Sequence, residues 1–457
     1  IDAAEPSIAC VLVSRSEKYA ALGEGPSSGV PGRLGEFNPA RHRFGPAARN
    51  RDFVKQLDLA NPETVPESYG SGVVIDDREL VLTTFRVVEG ATKVFVRLPG
   101  TNRGSYADIV AGDPRCDLAV LKMIHPPADL RAIPFGDGGK VRAGDMVVGL
   151  ANPFAAGSRD GKPSFSGGSI SNVRRPAPPP GGSDETKRVK ALAQYAFLLQ
   201  TDVRLSRGCS GGALLNYDGE LVGLTTALAA VTGGEESGGY AIPIDANVKK
   251  MIDVLKKGDE IEYGFLGVQV NPEIKGDGQG VPVLAVSPGM PAQRAGIMTG
   301  DIVTAINGNP IRDQEDLFLQ ISAALAGSEA DVEVRRGLGT QSFRVRLAKA
   351  APSSEPAPIV SSRPRAVFGL RVDYVSTLPS DANPPEGVLV KDLESGTDAE
   401  KKLKTWADRA RLIVIAVDGK PVPTPADFYR AAAGKGSVTL DVVEAIRDGA
   451  RRRVTVP

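Results

Sequence analysis

One nine-residue pattern occurs twice, and it restricts the architecture more than any other feature. Val303-Thr-Ala-Ile-Asn-Gly-Asn-Pro-Ile and Val414-Ile-Ala-Val-Asp-Gly-Lys-Pro-Val each set apolar residues on both sides of an Asn-Gly or Asp-Gly dipeptide. That arrangement is the strongest short signal for a two-residue β-hairpin turn. The likeness extends outward. Phe265-Leu-Gly-Val-Gln-Val answers Phe368-Gly-Leu-Arg-Val, and the helix start Asp313-Gln-Glu-Asp-Leu answers Thr424-Pro-Ala-Asp-Phe. A spacing of about 110 residues is too long for a solenoid repeat. The C-terminal part is therefore two copies of one domain, over 261–349 and 366–457. Residues 350–365, with the Pro/Ser/Ala composition of a semi-rigid spacer, are the linker between them. The first copy is expected to hold strands at 266–270, 281–286, 302–306, 331–336 and 342–347 and a helix near 313–325.

The N-terminal part is a different β-rich unit. Pro6–Ser14 reads as a buried strand, and residues 15–68 then lose all periodicity and form a long surface loop. Short β-type runs return from 70 to 125, at 146–151 and at 166–173. The Pro- and Gly-rich stretch Arg174–Ser183 is a loop. Further runs follow at 195–201, 212–216, 220–227 and 239–242. Asp245–Lys257 has Val248, Met251, Ile252 and Leu255 at helical spacing, with Gly258 as its stop. Turn-punctuated strands closed by one helix predict a two-barrel β domain over 1–258. Few aromatics (5%) and abundant Gly (52) and Pro (35) suit such turn-rich β domains.

Charge narrows the partners. Lys plus Arg and Asp plus Glu are 55 each, so nothing global draws the chain to nucleic acid or an anionic membrane. No apolar run reaches the ~18 residues of a membrane span. Three cysteines make no disulfide framework, although a Cys116–Cys209 bridge is conceivable. No cofactor or metal is expected.

Gly208-Cys-Ser210-Gly-Gly212 is the sharpest chemical motif. A serine nucleophile needs a tight glycine-rich turn, on which backbone N–H groups converge upon a developing oxyanion. A structural turn explains a lone motif of this kind equally well, and the surroundings decide. Gly70-Ser-Gly-Val-Val-Ile, Val81-Leu-Thr-Thr-Phe-Arg-Val-Val-Glu-Gly-Ala91, Asp113-Pro-Arg-Cys-Asp117-Leu-Ala-Val-Leu-Lys and Tyr240-Ala-Ile-Pro-Ile flank it in chain order. With these segments the chain resembles the HtrA/Deg family of extracytoplasmic serine proteases. The resemblance implies a mainly β fold: a chymotrypsin-like double β-barrel followed by two PDZ-type α+β domains.

Carried over by position, the resemblance makes Ser210 the nucleophile, Asp117 the orienting acid, and the N–H groups of Gly208 and Ser210 the oxyanion hole. The position of the base holds Arg86. A serine hydroxyl is a poor nucleophile until a base takes its proton. Arginine stays protonated and offers no acceptor. An Arg86–Asp117 ion pair is expected, and loss of the base costs on the order of 10⁶ in turnover. Of the two histidines, His125 lies past the strand that follows Asp117, and His42 sits in the long loop. Cys209 points away from the site and reads as a small buried residue. In the first copy the resemblance assigns peptide C-termini to Phe265, Leu266, Gly267 and Val268, with β-augmentation along 266–270. Leu317, Ile321 and Leu325 either line that groove or belong to the core. The second copy lacks the Gly300-Asp301 pair, and peptide binding or packing are both open for it.

The expected function is that of an HtrA-like pseudoprotease: an extracytoplasmic (periplasmic or secreted) peptide-binding scaffold, chaperone or assembly component. The start Ile1-Asp-Ala-Ala-Glu-Pro reads as a processed chain. Its partners would be polypeptide C-termini or unfolded segments, in a homo-oligomer of three or more. The alternative is an active HtrA-type serine endopeptidase in protein quality control, with a base from His42 or from a partner.

Overall fold

The computed structural model describes residues 1–16, 58–61, 64, 66–100, 103–153, 161–175, 197–206, 208–226, 239–270, 280–351, 357–362, 364–378, 383–407, 411–445 and 451–457. His42 and most of the 15–68 and 174–183 loops lie outside them. The chain divides into two compact units, Ile1–Ile261 with Ser354–Ser362, and Glu262–Ser353 with Arg363–Pro457. The architecture is mainly β, as the sequence indicates.

The first unit opens with a six-stranded barrel: β1 (Ile8–Ser14), β2 (Ser68–Val74), β3 (Leu80–Thr84), β4 (Lys93–Arg97), β5 (Gly104–Asp113) and β6 (Leu118–Met123). The order is β5-β4-β1-β2-β3-β6, closed by β5–β6 pairing. Inward Val and Leu residues, among them Val11, Val13, Val81, Val96 and Leu121, fill it. A single helical turn, α1 (Phe85–Val88), follows β3. Strand β1 does not alternate, because it is buried on both faces. Its outer face carries Cys10 and Leu12, and Leu59 and Phe95 cover them. Arg97 Nη2 donates to the Leu59 carbonyl at 3.1 Å, and Leu59 N to Tyr106 Oη at 3.1 Å. The end of the expected surface loop is thus packed onto the barrel wall.

The second barrel holds β7 (Met146–Ala151), β8 (Ser164–Arg175), β9 (Leu198–Thr201), β10 (Ala213–Leu215), β11 (Leu221–Thr226) and β12 (Gly239–Pro243), closed in the order β10-β11-β12-β9-β8-β7. Helix α2 (Ala246–Lys256) follows. Asp245 caps it by accepting from the amides of Asn247 and Val248, and Met251, Ile252 and Leu255 form its buried face.

In the second unit the first copy contains β13 (Gly264–Phe265), β14 (Val268–Val270), β15 (Val281–Val286), β16 (Ile302–Ile306), β17 (Asn309–Pro310), β18 (Glu329–Arg336), β19 (Gly339–Arg346) and β20 (Ala348–Lys349), with α3 (Pro291–Ala295) and α4 (Gln314–Ala323). Its sheet runs β14-β15-β16-β18-β19, with β17 on β16 and β13 on β20. The expected strand 266–270 begins only at Val268, because residues 266 and 267 form a loop.

The linker assignment needs correcting. Within 350–365, β21 (Ile359–Val360) belongs to the first unit and pairs with Gly112 and Ala111 of β5. Strand β4 pairs with β5 only over 104–107, so the side of β5 beyond residue 107 stands open to another strand. Two β-branched residues among prolines suffice to fill it. Ser361 N and Ser362 N then bond to the Gly258 carbonyl.

The second copy repeats the first with β22 (Leu370–Tyr374), β23 (Val388–Leu393), β24 (Leu412–Val417), β25 (Lys420–Pro421), β26 (Val438–Glu444), β27 (Arg451–Val456), α5 (Asp398–Ala407) and α6 (Pro425–Ala432), in the same strand order. Asn307 and Asp418 both stand at φ 50° and are followed by Gly308 at 76° and Gly419 at 77°, the left-handed pair that the hairpin dipeptides foretold.

Asp301 marks a difference between the copies. It is buried and receives a two-pronged bond from Arg336, Nε at 2.7 Å and Nη2 at 2.8 Å, together with the Met298 amide at 2.8 Å. The Arg336 bond holds this carboxyl below its ordinary value of 3.8. A depressed carboxyl pKa stabilises the fold above the unfolded value and loses that contribution as pH falls through the folded one. Arg336→Met should therefore lower the urea midpoint of the first copy at pH 7. The gap to wild type should close below about pH 4, and a gap that is constant from pH 7 to 2.5 would contradict this.

Candidate functional site

The nucleophile turn lies between β9 and β10 and is held from both barrels. From the second barrel, the Cys209 carbonyl accepts from Thr225 Oγ1 at 2.5 Å and from Gly212 N at 3.0 Å. A trans peptide sends C=O and the next N–H in opposite directions, so the Ser210 N–H points away from β11. From the first barrel, Ser71 N donates to the Ser210 carbonyl at 2.8 Å and Ser71 Oγ to the Gly208 carbonyl at 2.8 Å. Asn152 N donates to Ser71 Oγ at 2.9 Å, and Thr83 Oγ1 to the Ser71 carbonyl at 2.7 Å. Fully buried Ser71 thus bolts the turn in place, a role the sequence reading did not assign. The signal for it was present in Gly70-Ser71, since the glycine before Ser71 leaves room for the turn's backbone. Gly211 stands at φ 86°, and a Cβ there would lie 2.2 Å from the Ser71 carbonyl. Only glycine fits.

Arg86 sits on α1, directly after β3. Its Nε bonds Asp117 Oδ2 at 2.7 Å, and its amide bonds Oδ1 at 3.0 Å. The side chains are 14% and 4% exposed. Asp117 adopts φ 55°, and its carbonyl accepts from Phe85 N at 3.0 Å. Backbone and carboxylate of one residue thereby fix the whole helical turn. The serine turn is close by: a Cβ on Gly70 would meet Val87 Cγ2 at 2.5 Å and the Ser210 carbonyl at 3.1 Å. The helical turn that carries Arg86 and the serine turn therefore both border Gly70.

His125, the single histidine among the described residues, is exposed at the far end of β6. That strand's six residues put it about 20 Å from Asp117. Cys116 and Cys209 are buried thiols, so the conceivable bridge is not formed. Each sulfur has its own neighbour, the Asp113 carbonyl at 3.7 Å and Ser206 Oγ at 3.4 Å.

In the first copy the Leu266 carbonyl accepts from Ala292 N at 2.8 Å and the Gly267 carbonyl from Ser287 N at 2.9 Å. By the same trans-peptide rule the amides of Gly267 and Val268 face the other way, off the edge of β14 that is opposite β15. Gly267, at φ 84°, packs against Met290, whose Cβ would be 2.5 Å from an added methyl. Leu317 and Ile321 are core residues, and Leu325 is half-buried beside Tyr263.

The second copy uses its edge differently. The Gly369 carbonyl accepts from Glu394 N, matching Gly267, but Leu370 N donates back to the Val367 carbonyl at 3.0 Å. The next two amides that face the edge are also engaged: Val372 N with Tyr429 Oη at 3.4 Å and Tyr374 N with Asp373 Oδ1 at 2.9 Å. The opening Phe368-Gly keeps the loop's sequence but folds into a turn that closes it.

These features define a trypsin-like double barrel with a serine turn and an attached PDZ module. The trypsin-like peptidase domain family matches residues 70–224, and the PDZ domain family matches 264–347. Periplasmic serine endoprotease DegP of Escherichia coli (strain K12) is 30% identical over 378 residues, 81% of this chain and 73% of that protein. A probable periplasmic serine endoprotease DegP-like of Rhizobium meliloti (strain 1021) is 30% identical over 87% of this chain and 79% of its own length. The solved HtrA-type protease AlgW with tripeptide shares the fold, with a TM-score of 0.50 at 23% identity over 77% of this chain and 96% of that one. The chain belongs to the HtrA/DegP family of serine proteases. Among the described residues no helix is long and apolar enough to cross a membrane.

Proposed function

We propose that this chain is a non-cleaving member of its family, a periplasmic scaffold or chaperone that captures polypeptide C-termini or unfolded segments. The carrying observation is the Arg86–Asp117 ion pair at 2.7 Å. It occupies the carboxylate that would orient a base, and it supplies no acceptor for the Ser210 proton. In this reading Ser210 is the nucleophile's counterpart and the N–H groups of Gly208 and Ser210 that of the oxyanion hole, and the one histidine among the described residues, His125, is remote from them. Capture falls to the first PDZ module, where the amides at Phe265, Leu266, Gly267 and Val268 receive a terminal carboxylate and β14 pairs with the peptide. The second module, with its edge amides engaged, serves packing. Assembly into a trimer or larger homo-oligomer completes the reading.

Digestion of casein by wild type and by Ser210→Ala tests the absence of cleavage: both should release peptide at the same background rate. Serine-dependent cleavage that is also lost in His42→Ala would establish the active endopeptidase instead. Capture is tested by fluorescence anisotropy with an apolar-ended peptide. Binding should fall at least tenfold on amidation of the peptide, and likewise in Gly267→Ala. Equal binding of acid and amide would refute it.

A further inference from the structure

We infer that the degenerate triad is itself a binding site for a carboxylate, one distinct from the PDZ loop. The inference rests on the non-cleaving reading above.

A triad histidine uses its near nitrogen to bond the aspartate and its far nitrogen to face the serine. Arg86 keeps the first of these bonds. Its near nitrogen, Nε, and its backbone amide take up Asp117. The far end of the guanidinium remains. Among the described residues, neither Nη1 nor Nη2 of Arg86 has a hydrogen-bond partner. These two nitrogens form the edge of an arginine that takes a carboxylate with two parallel bonds. A triad histidine ends in one acceptor, and this side chain ends in a fork of donors.

The surroundings favour an anion as well. The Cys209 carbonyl, pinned by Thr225 Oγ1, turns the Ser210 N–H away from β11. Asp117 balances most of the charge of Arg86, so the fork attracts a carboxylate through two directed N–H bonds rather than through excess positive charge. The Arg86 side chain is 14% exposed, enough for a ligand to reach and little enough to strengthen the bonds formed. Ser71 and Gly211 fix the turn, so the donors are already in place. The ligand class is a carboxylate, from a peptide C-terminus or from a small free acid.

Isothermal titration of the full chain with an acetylated tripeptide acid tests this. Wild type should bind two equivalents. Gly267→Ala, with the PDZ loop disabled, should bind one, and Gly267→Ala/Arg86→Leu none. The tripeptide amide should bind to neither site. Acetate is the second probe: competition at equal molar affinity supports the site with a small acid as its ligand, and acetate at least tenfold weaker supports a peptide terminus. A peptide site in the Gly267→Ala chain that persists unchanged with Arg86→Leu, or no site there at all, overturns the proposal. Should the double variant not fold, a crystal of the wild-type chain soaked in 4-bromobenzoate decides. Bromine anomalous signal beside Arg86 supports the site, and a clear map without it overturns it. Casein digestion reports on the absence of cleavage alone, so failure of that reading and failure of this one are separable.

Discussion

Arg86→His should convert a background-level protein into a serine-dependent peptidase. Casein cleavage should rise by about 10²–10⁴-fold, the range a positioned general base contributes. The gain should vanish in Arg86→His/Ser210→Ala. The remaining parts are in place for it. Asp117 offers two oxygens that already hold position 86, at 2.7 and 3.0 Å, and the bond to the backbone amide does not depend on the side chain. The Ser210 turn is fixed by Ser71, Asn152 and Thr225, none of which touches the Arg86 side chain in the bonds described above. A new imidazole bonded to Asp117 would titrate above the ordinary value near 6.5, because the carboxylate favours its charged form, and cleavage should rise with pH through that titration as the neutral base appears. No gain, with Ser210 unreactive toward a fluorophosphonate probe, would mean that the oxyanion hole or substrate cleft has decayed as well as the base.

The features readable from sequence were those in which residue type and local geometry coincide. Asn307-Gly308 and Asp418-Gly419 require left-handed backbone and have it. Asp245 opens a helix with a side chain that can cap it. Arg86 was conspicuous because the residues around it fit a pattern in which one position was wrong. Features that depend on chain segments meeting were not readable. Ser71 bonds Gly208 across 137 residues, and only closure of both barrels makes that contact. Ile359–Val360 look like linker until the vacant side of β5 is known. The second module's loop kept its Phe-Gly signature, while its closure depends on Val367 and Tyr429, which lie outside that signature.

The largest loss of stability should come from Arg115, two residues before Asp117. Its side chain is 2% exposed, an unusual place for a guanidinium, and Asp113 beside it is 1% exposed. Arg115 bonds Asp113 three times, Nη2 to Oδ2 at 2.6 Å and Nε to the two oxygens at 3.0 and 3.2 Å. Its Nη2 also donates to the Ile261 carbonyl at 3.0 Å. Arg115→Met should cost about 3–5 kcal/mol, because it strands a buried carboxylate. Asp113→Leu/Arg115→Met should cost less than the single change, since removing both charges also removes the uncompensated one. Hydrogen exchange of β5 and β6 read by mass spectrometry along a urea series isolates this unit from the PDZ modules. The same experiment has a second readout in β21. Residues 258–261 leave the barrel beside the point where 359–362 return, and the Gly258 carbonyl holds Ser361 and Ser362. If Arg115 anchors that crossing through Ile261, Arg115→Met should speed exchange at 359–362 before β6 opens. In the double variant that exchange should remain fast even where global stability is regained, because the bond to Ile261 is still missing. Exchange at 359–362 that tracks β6 in every variant would show that the crossing is held by the β5 ladder alone.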